Sequence, residues 1–174
     1  MNWLWLTVVV TVLDQLTKQL AEQSLVSHQP VAVISNLNWT LMYNEGAAFS
    51  FLSNAGGWQR WFFIALSSAI SLFLFFWLKQ LDKNKKLLSI GLALILGGAI
   101  GNLIDRVLFG HVIDFIQYYY HADACLPGFS LWKLDSGSTC FWPAFNIADS
   151  AISLGAAMLV IDMIKEHFEE KDNG

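Results

Sequence analysis

Charge is scarce in this chain: 10 Lys and Arg and 14 Asp and Glu stand among 174 residues. Hydrophobic residues make up 55% of the sequence, too many for a soluble domain of this size to hide, and they fall in blocks rather than in amphipathic stripes. There is no basic stripe and only one short lysine cluster, which argues against nucleic acid as a partner. Only 2 cysteines are present, and no Cys/His spacing supports a zinc site, including one using His121. Gly97, Gly98 and Gly101 lack any Walker or dinucleotide pattern around them, so they read as a close-packing helix face rather than a phosphate loop. Internal repeats and low-complexity tracts are lacking too.

What is present points to a bilayer as solvent. Mean hydropathy is +0.47, and a net charge of -4 says less than where the charges fall. Four blocks, residues 3–21, 60–78, 87–107 and 146–164, are each close to the roughly 20 residues that cross the hydrocarbon core as a helix. The expectation is therefore a membrane α-helical fold with four transmembrane helices, all of residues 1–174 forming one domain. The first block has no basic leader and no small-residue cleavage site, so it reads as a retained helix rather than a cleaved signal peptide. Lys79, Lys83, Lys85 and Lys86 follow the second block, and Lys165 and Lys171 follow the fourth. The positive-inside rule then puts both termini in the cytoplasm and residues 22–59 and 108–145 outside. Trp3, Trp5 and Trp77 would mark the inner interface, and Trp58 and Trp61 the outer one.

The first external region is rich in β-branched and aromatic residues at Val31–Ile34 and at 39–43, separated by Ser35-Asn36-Leu37-Asn38. This predicts short strands joined by a turn, a small sheet on the outer membrane face. Small residues at 46–48 and 54–57 let backbone come close to a ligand.

Five polar groups interrupt the apolar pattern: residues 14–18, 44–50, 101–106, 112–115 and 145–149. Ionisable residues in or beside membrane spans are expensive, so each group is a functional candidate. The predicted topology gathers them into one layer near the outer surface. Asp14 and Lys18, four apart on one helical face, read as an ion pair holding the first helix to the bundle. Arg106 reads as a snorkelling cation with Asp105 as counter-ion or loop anchor. Asn146 suits a helix cap, and Asp149 stands where the helix dipole favours a carboxylate. Asp114, in the loop after the third span, and Asp149 have no basic neighbour at helical spacing. Two carboxylates sharing a water retain one proton between them, which supplies a general base and a hydrogen-bond donor for hydrolysis. Two other readings compete. One is a proton-coupled transporter with Asp14, Lys18, Asp105 and Asp149 as relay. The other is a serine hydrolase with Ser50 activated by Lys18.

Asn-x-Gly-Ala-Ala-Phe-Ser at 44–50, Gly-Asn-Leu-Ile-Asp-Arg at 101–106 and Phe-Asn-x-Ala-Asp-Ser at 145–150 occur in series. In that order they resemble the lipoprotein signal peptidases (signal peptidase II), bacterial membrane aspartyl proteases, and the resemblance covers nearly the whole chain. It implies Asp114 and Asp149 as catalytic aspartates, with Asp14, Lys18, Asn44, Gly46, Asn102, Asp105, Arg106 and Asn146 as supporting or substrate-binding residues. It further implies a four-helix membrane bundle with a periplasmic β-sheet cradle, in the bacterial inner membrane. The implied substrate is a prolipoprotein carrying diacylglycerol on its lipobox cysteine and held in membrane lipid, cut just before that cysteine. No metal or organic cofactor is implied. Neutral Asn102 and Asn146 would then hold the substrate backbone without adding charge.

Residues 118–143 depart from the resemblance, being longer than that family usually has between the aspartates. This extended external loop contains Cys125 and Cys140, where an oxidising compartment permits a disulfide. A closed loop of that length stabilises by roughly 3 kcal/mol in the chain-entropy account. Lying between the aspartates, the insertion would form a lid or influence the choice of substrate.

Overall fold

The computed structural model describes residues 3–46, 57–82, 84–122, 124–134 and 137–172. Four helices, α1 (Leu4–Ser24), α2 (Trp58–Gln80), α3 (Lys86–Leu108) and α4 (Ile147–Asp172), accompany five strands. The strands are β1 (Val31–Ile34), β2 (Leu37–Asn44), β3 (Val112–His121), β4 (Ser130–Leu134) and β5 (Gly137–Phe141). They form one antiparallel sheet in the order β1-β2-β3-β5-β4.

Among the described residues three helices are long and apolar enough to cross a membrane: α2, α3 and α4 over Ile147–Glu169. Helix α1 has the length, but Asp14, Gln15, Lys18 and Gln19 dilute its apolar character. The end of α4 differs from expectation, continuing eight residues past 164. The added turns are dominated by charged helix formers, which need no bilayer, and Glu166 there pairs with Lys85 before α3.

Helix α3 is central and packs against α1, α2 and α4. Its small residues make this possible. A Cβ added at Gly97 would lie 2.8 Å from Val10 Cβ, and one at Gly98 would overlap the Ala148 carbonyl. Close approach also opens α3 carbonyls to donors on α1. Thr7, Thr11 and Gln15, spaced by one helical turn, donate to the carbonyls of Ala93, Gly97 and Gly101 at 3.1 Å each. Side-chain hydrogen bonds between helices matter where lipid offers no water as substitute. Many of the exposed large apolar side chains, such as Leu16, Phe73 and Met163, lie on these helices and face outward.

The β1–β2 hairpin turns at Ser35 and Asn36, and Asn36 adopts a left-handed φ of 69°, a conformation asparagine tolerates well. Strand β2 begins at Leu37, two residues earlier than the expected 39. The largest difference lies in residues 118–143. In place of an extended loop, β3 runs ten residues to His121 and pairs with the β4–β5 hairpin. The run Phe-Ile-Gln-Tyr-Tyr-Tyr at 115–120 carries the β-branched and aromatic character that favours a strand. Asp114 accordingly stands on a strand rather than in a loop.

Candidate active site

Strand β3 starts where α3 stops. Phe109 and Gly110 donate back to the carbonyls of Asp105 and Arg106, and Gly110 takes a φ of 87° that closes the helix. Arg60 of α2 covers this end, donating to the carbonyls of Arg106 at 3.0 Å and Val107 at 2.9 Å. The chain then returns along β3. Trp142 N–H reaches the Tyr118 carbonyl, and Phe145 exchanges hydrogen bonds with Ile116. This antiparallel return brings the first turn of α4 beside Asp114.

Asn146 links the two carboxylates. Its Nδ2 donates to Asp114 Oδ1 at 2.8 Å, and its Oδ1 accepts the Asp149 backbone N–H at 2.9 Å. Asp149 Oδ2 accepts the Asn146 backbone N–H at 3.3 Å, a reciprocal cap at the start of α4. Asn146 thus caps α4 and bonds Asp114 at once. Asp149 Oδ1 accepts Asn102 Nδ2 at 2.8 Å, and Asp114 Oδ2 accepts Asn44 Nδ2 at 3.3 Å. Both aspartates line an open cleft of about 910 Å³, with Asn44, Asn102 and Arg106 also on its walls.

Asn146 is fully buried, with Nδ2 directed at Asp114, Asn102 and the Ile113 carbonyl. Asn102 is held in the same way: its Oδ1 accepts from Lys18 Nζ at 2.9 Å. A lysine ammonium can only donate, so it turns the amide oxygen toward itself and the amide hydrogens toward Asp149.

Lys18 has no donor to spare. Its Nζ also pairs with Asp14 Oδ2 at 2.8 Å and Asp105 Oδ2 at 2.7 Å, and all three residues are buried. This commitment leaves no lone pair to activate a serine, and Ser50 itself lies outside the described residues. Asp14 Oδ1 accepts Ala148 N–H at 2.9 Å in the first turn of α4. Asp105 Oδ2 accepts Ile113 N–H at 3.2 Å on β3. One lysine and two carboxylates therefore tie α1, α3, β3 and α4 together directly beneath the cleft. Gly101 admits this pair, since a Cβ there would overlap the Asp14 carboxylate.

Arg106 does not snorkel. It is buried, donates from Nη2 to the Gly46 carbonyl at 2.8 Å and lies 5.2 Å from the centre of the Phe63 ring. Gly46 N–H in turn donates to Asn44 Oδ1 at 3.0 Å, leaving Asn44 Nδ2 for Asp114. The rest of the 44–50 motif lies outside the described residues.

Asp114 is 3% exposed. Burial, and secondarily the charge of Asp149, push its carboxyl from the ordinary 3.8 up to about 8. Neighbouring asparagines and Lys18 pull it the other way, but less strongly. Cys125 and Cys140 are joined in a disulfide that closes the base of the β4–β5 hairpin.

Sequence reasoning missed Gln15, whose Nε2 donates to Asp105 Oδ1 at 2.8 Å, and Arg60 at the end of α3. The signal for Gln15 was its place one turn after Thr11 and two after Thr7. Arg60 carried no local signal, because its partners are backbone carbonyls far along the chain.

Asp114 on the small sheet and Asp149 in the first turn of α4 thus line one cleft beside a bundle of largely apolar helices. The sequence model described as signal peptidase (SPase) II matches residues 6–165, and the chain belongs to that family. A lipoprotein signal peptidase of Pseudomonas fluorescens Pf-5 is 48% identical over 166 residues, 95% of this chain and 88% of that one. One from Acinetobacter baumannii ATCC 17978 is 49% identical, over 92% of this chain and 81% of its own. A bacterial membrane enzyme solved by the in meso method at 2.3 Å resolution superposes with a TM-score of 0.75 at 30% identity, covering 95% of this chain and 88% of that one.

Proposed function

We propose that this chain is an aspartyl endopeptidase that removes signal peptides from diacylglyceryl-modified prolipoproteins, cutting before the lipidated cysteine. The observation that carries the mechanism is the meeting of Asp114 and Asp149 in one cleft, bridged by Asn146. The elevated Asp114 carboxyl holds the shared proton, and Asp149, half-buried at the helix N-terminus, is the base. Asp149 takes a proton from water as the water oxygen bonds to the scissile carbonyl carbon. Asp114 donates its O–H to the carbonyl oxygen as that oxygen gains charge. Collapse of the tetrahedral adduct returns that proton to Asp114, breaks the C–N bond and moves the proton on Asp149 to the leaving amine.

The supporting set follows from contacts. Asn44, Asn102 and Asn146 orient the carboxylates, and Arg106, held by the Gly46 carbonyl, forms part of one wall of the cleft. Asp14, Lys18 and Asp105 hold the elements that carry them. All four helices span the bacterial cytoplasmic membrane as one domain, with α1 tolerated because its polar face is buried against α3. Lysines on the α2–α3 connection and at the end of α4 support a topology with both termini in the cytoplasm and the sheet and cleft at the periplasmic face. A diacylated substrate anchored in membrane lipid brings its scissile bond to that level.

Incubation of purified enzyme with a diacylglyceryl-modified precursor and its unmodified twin tests the proposal. The modified form should be cut before the cysteine and the unmodified form left intact. Equal cleavage of both would contradict it.

A further inference from the structure

The cleft that holds Asp114 and Asp149 continues to the β4–β5 hairpin, where Gly128, Phe129, Ser130, Phe141 and Trp142 form its far wall. This wall is fixed in place. The Phe129 ring meets Tyr118, Tyr120 and Trp142 edge-on, with centroids 6.1, 5.0 and 5.1 Å away. Leu126 N–H donates to the Tyr120 hydroxyl at 2.7 Å, and the neighbouring Cys125 is bonded to Cys140, itself opposite Tyr120 in the sheet. Gly128, at a φ of 90°, passes so close to Trp142 that a Cβ would sit 3.0 Å from the ring. A segment tied at so many points to β3 and β5 is a wall, not a lid.

We propose that this disulfide-tied hairpin is a subsite for the mature segment of the substrate, with Phe129 and Trp142 as its apolar surface. The inference rests on the proposed signal-peptide cleavage. In that reaction the signal peptide and the diacylglyceryl group are both held by the bilayer. Only the chain after the cysteine leaves it, and only that chain can reach a hairpin attached to the far half of β3. Trp142 is bonded to Tyr118, four residues along β3 from Asp114. At about 3.3 Å per residue that is ~13 Å, so the wall faces the second to fourth residues after the scissile bond. Aromatic faces there favour an extended segment with an apolar side chain at those positions.

The test compares two lipidated precursors, one ending directly after the cysteine and one continuing for several residues with an apolar residue at the third position. Trp142→Ala and Phe129→Ala should each raise KM for the long precursor by about tenfold with kcat unchanged, as expected for lost uniform binding. KM for the short precursor should not move, and Trp142→Phe should restore most of the loss. A run with the unaltered enzyme needs no folded variant: replacing the apolar residue of the long precursor by aspartate should raise its KM similarly. Equal effects on both precursors, or no effect from either the variants or the substrate change, would overturn the subsite while leaving the peptidase reading intact. Failure of the unaltered enzyme to cut either lipidated precursor would overturn the peptidase reading and the subsite with it.

Discussion

Asn146 Nδ2 lies 2.8 Å from Asp114 Oδ1, while the opposite end of the same amide receives the Asp149 backbone N–H at 2.9 Å. A single side chain thus sets the orientation of one aspartate and the helix turn that carries the other. Asn146→Ala should lower kcat about 100-fold or more, with a smaller change in KM. Loss of the cap should also cost about 1 kcal/mol of stability. Steady-state kinetics with a lipidated precursor and thermal unfolding in detergent measure the two effects separately; an unchanged kcat would remove Asn146 from the site.

The Asp114 carboxyl, raised to about 8, sets an alkaline limit. The proposed mechanism uses its proton, so kcat/KM should fall as pH rises through about 8. Stability has the same sign. Between the unfolded value of 3.8 and about 8 the native state holds a proton that the unfolded chain releases, so unfolding becomes easier as pH rises across that window. In Asp114→Asn this component of the pH dependence of Tm should disappear. A wild-type Tm that rises relative to that of the variant over the same range would contradict the assignment.

Lys18 neutralises two buried carboxylates, so Lys18→Met should destabilise by about 3–5 kcal/mol through the unpaired Asp14 and Asp105. Thermal unfolding reads this directly, and an unshifted Tm would show that the ion cluster is dispensable.

Asp14→Asn should act through stability, since Asp14 bonds Lys18 and Ala148 N–H. Its Tm should fall while the folded fraction still cuts substrate. A normal Tm with no cleavage would move Asp14 from the scaffold into the chemistry.

The helices and the ionisable cluster were legible in the sequence for simple reasons. Apolar blocks of bilayer length need no tertiary context, and Asp14 and Lys18 at one-turn spacing have to share a face. The amide network was not legible. Asn102 and Asn146 are 44 positions apart, and which atom of each faces an aspartate depends on Lys18 and on the backbone N–H of Asp149. Nor did composition alone mark residues 118–143 as strands. The aromatic run at 115–120 favours a strand locally, but β5 finds its partner at residues 119–121 of β3, and β4 finds its own on β5, only once the chain has turned back.

The most direct measurement is single-turnover cleavage of a lipidated precursor by Asp114→Asn and Asp149→Asn, each first verified as folded by its thermal transition. In the proposed mechanism each aspartate moves a proton of its own, so each variant should lose cleavage by at least about 100-fold while still binding the precursor. Cleavage near the wild-type rate in either folded variant would contradict the aspartate pair.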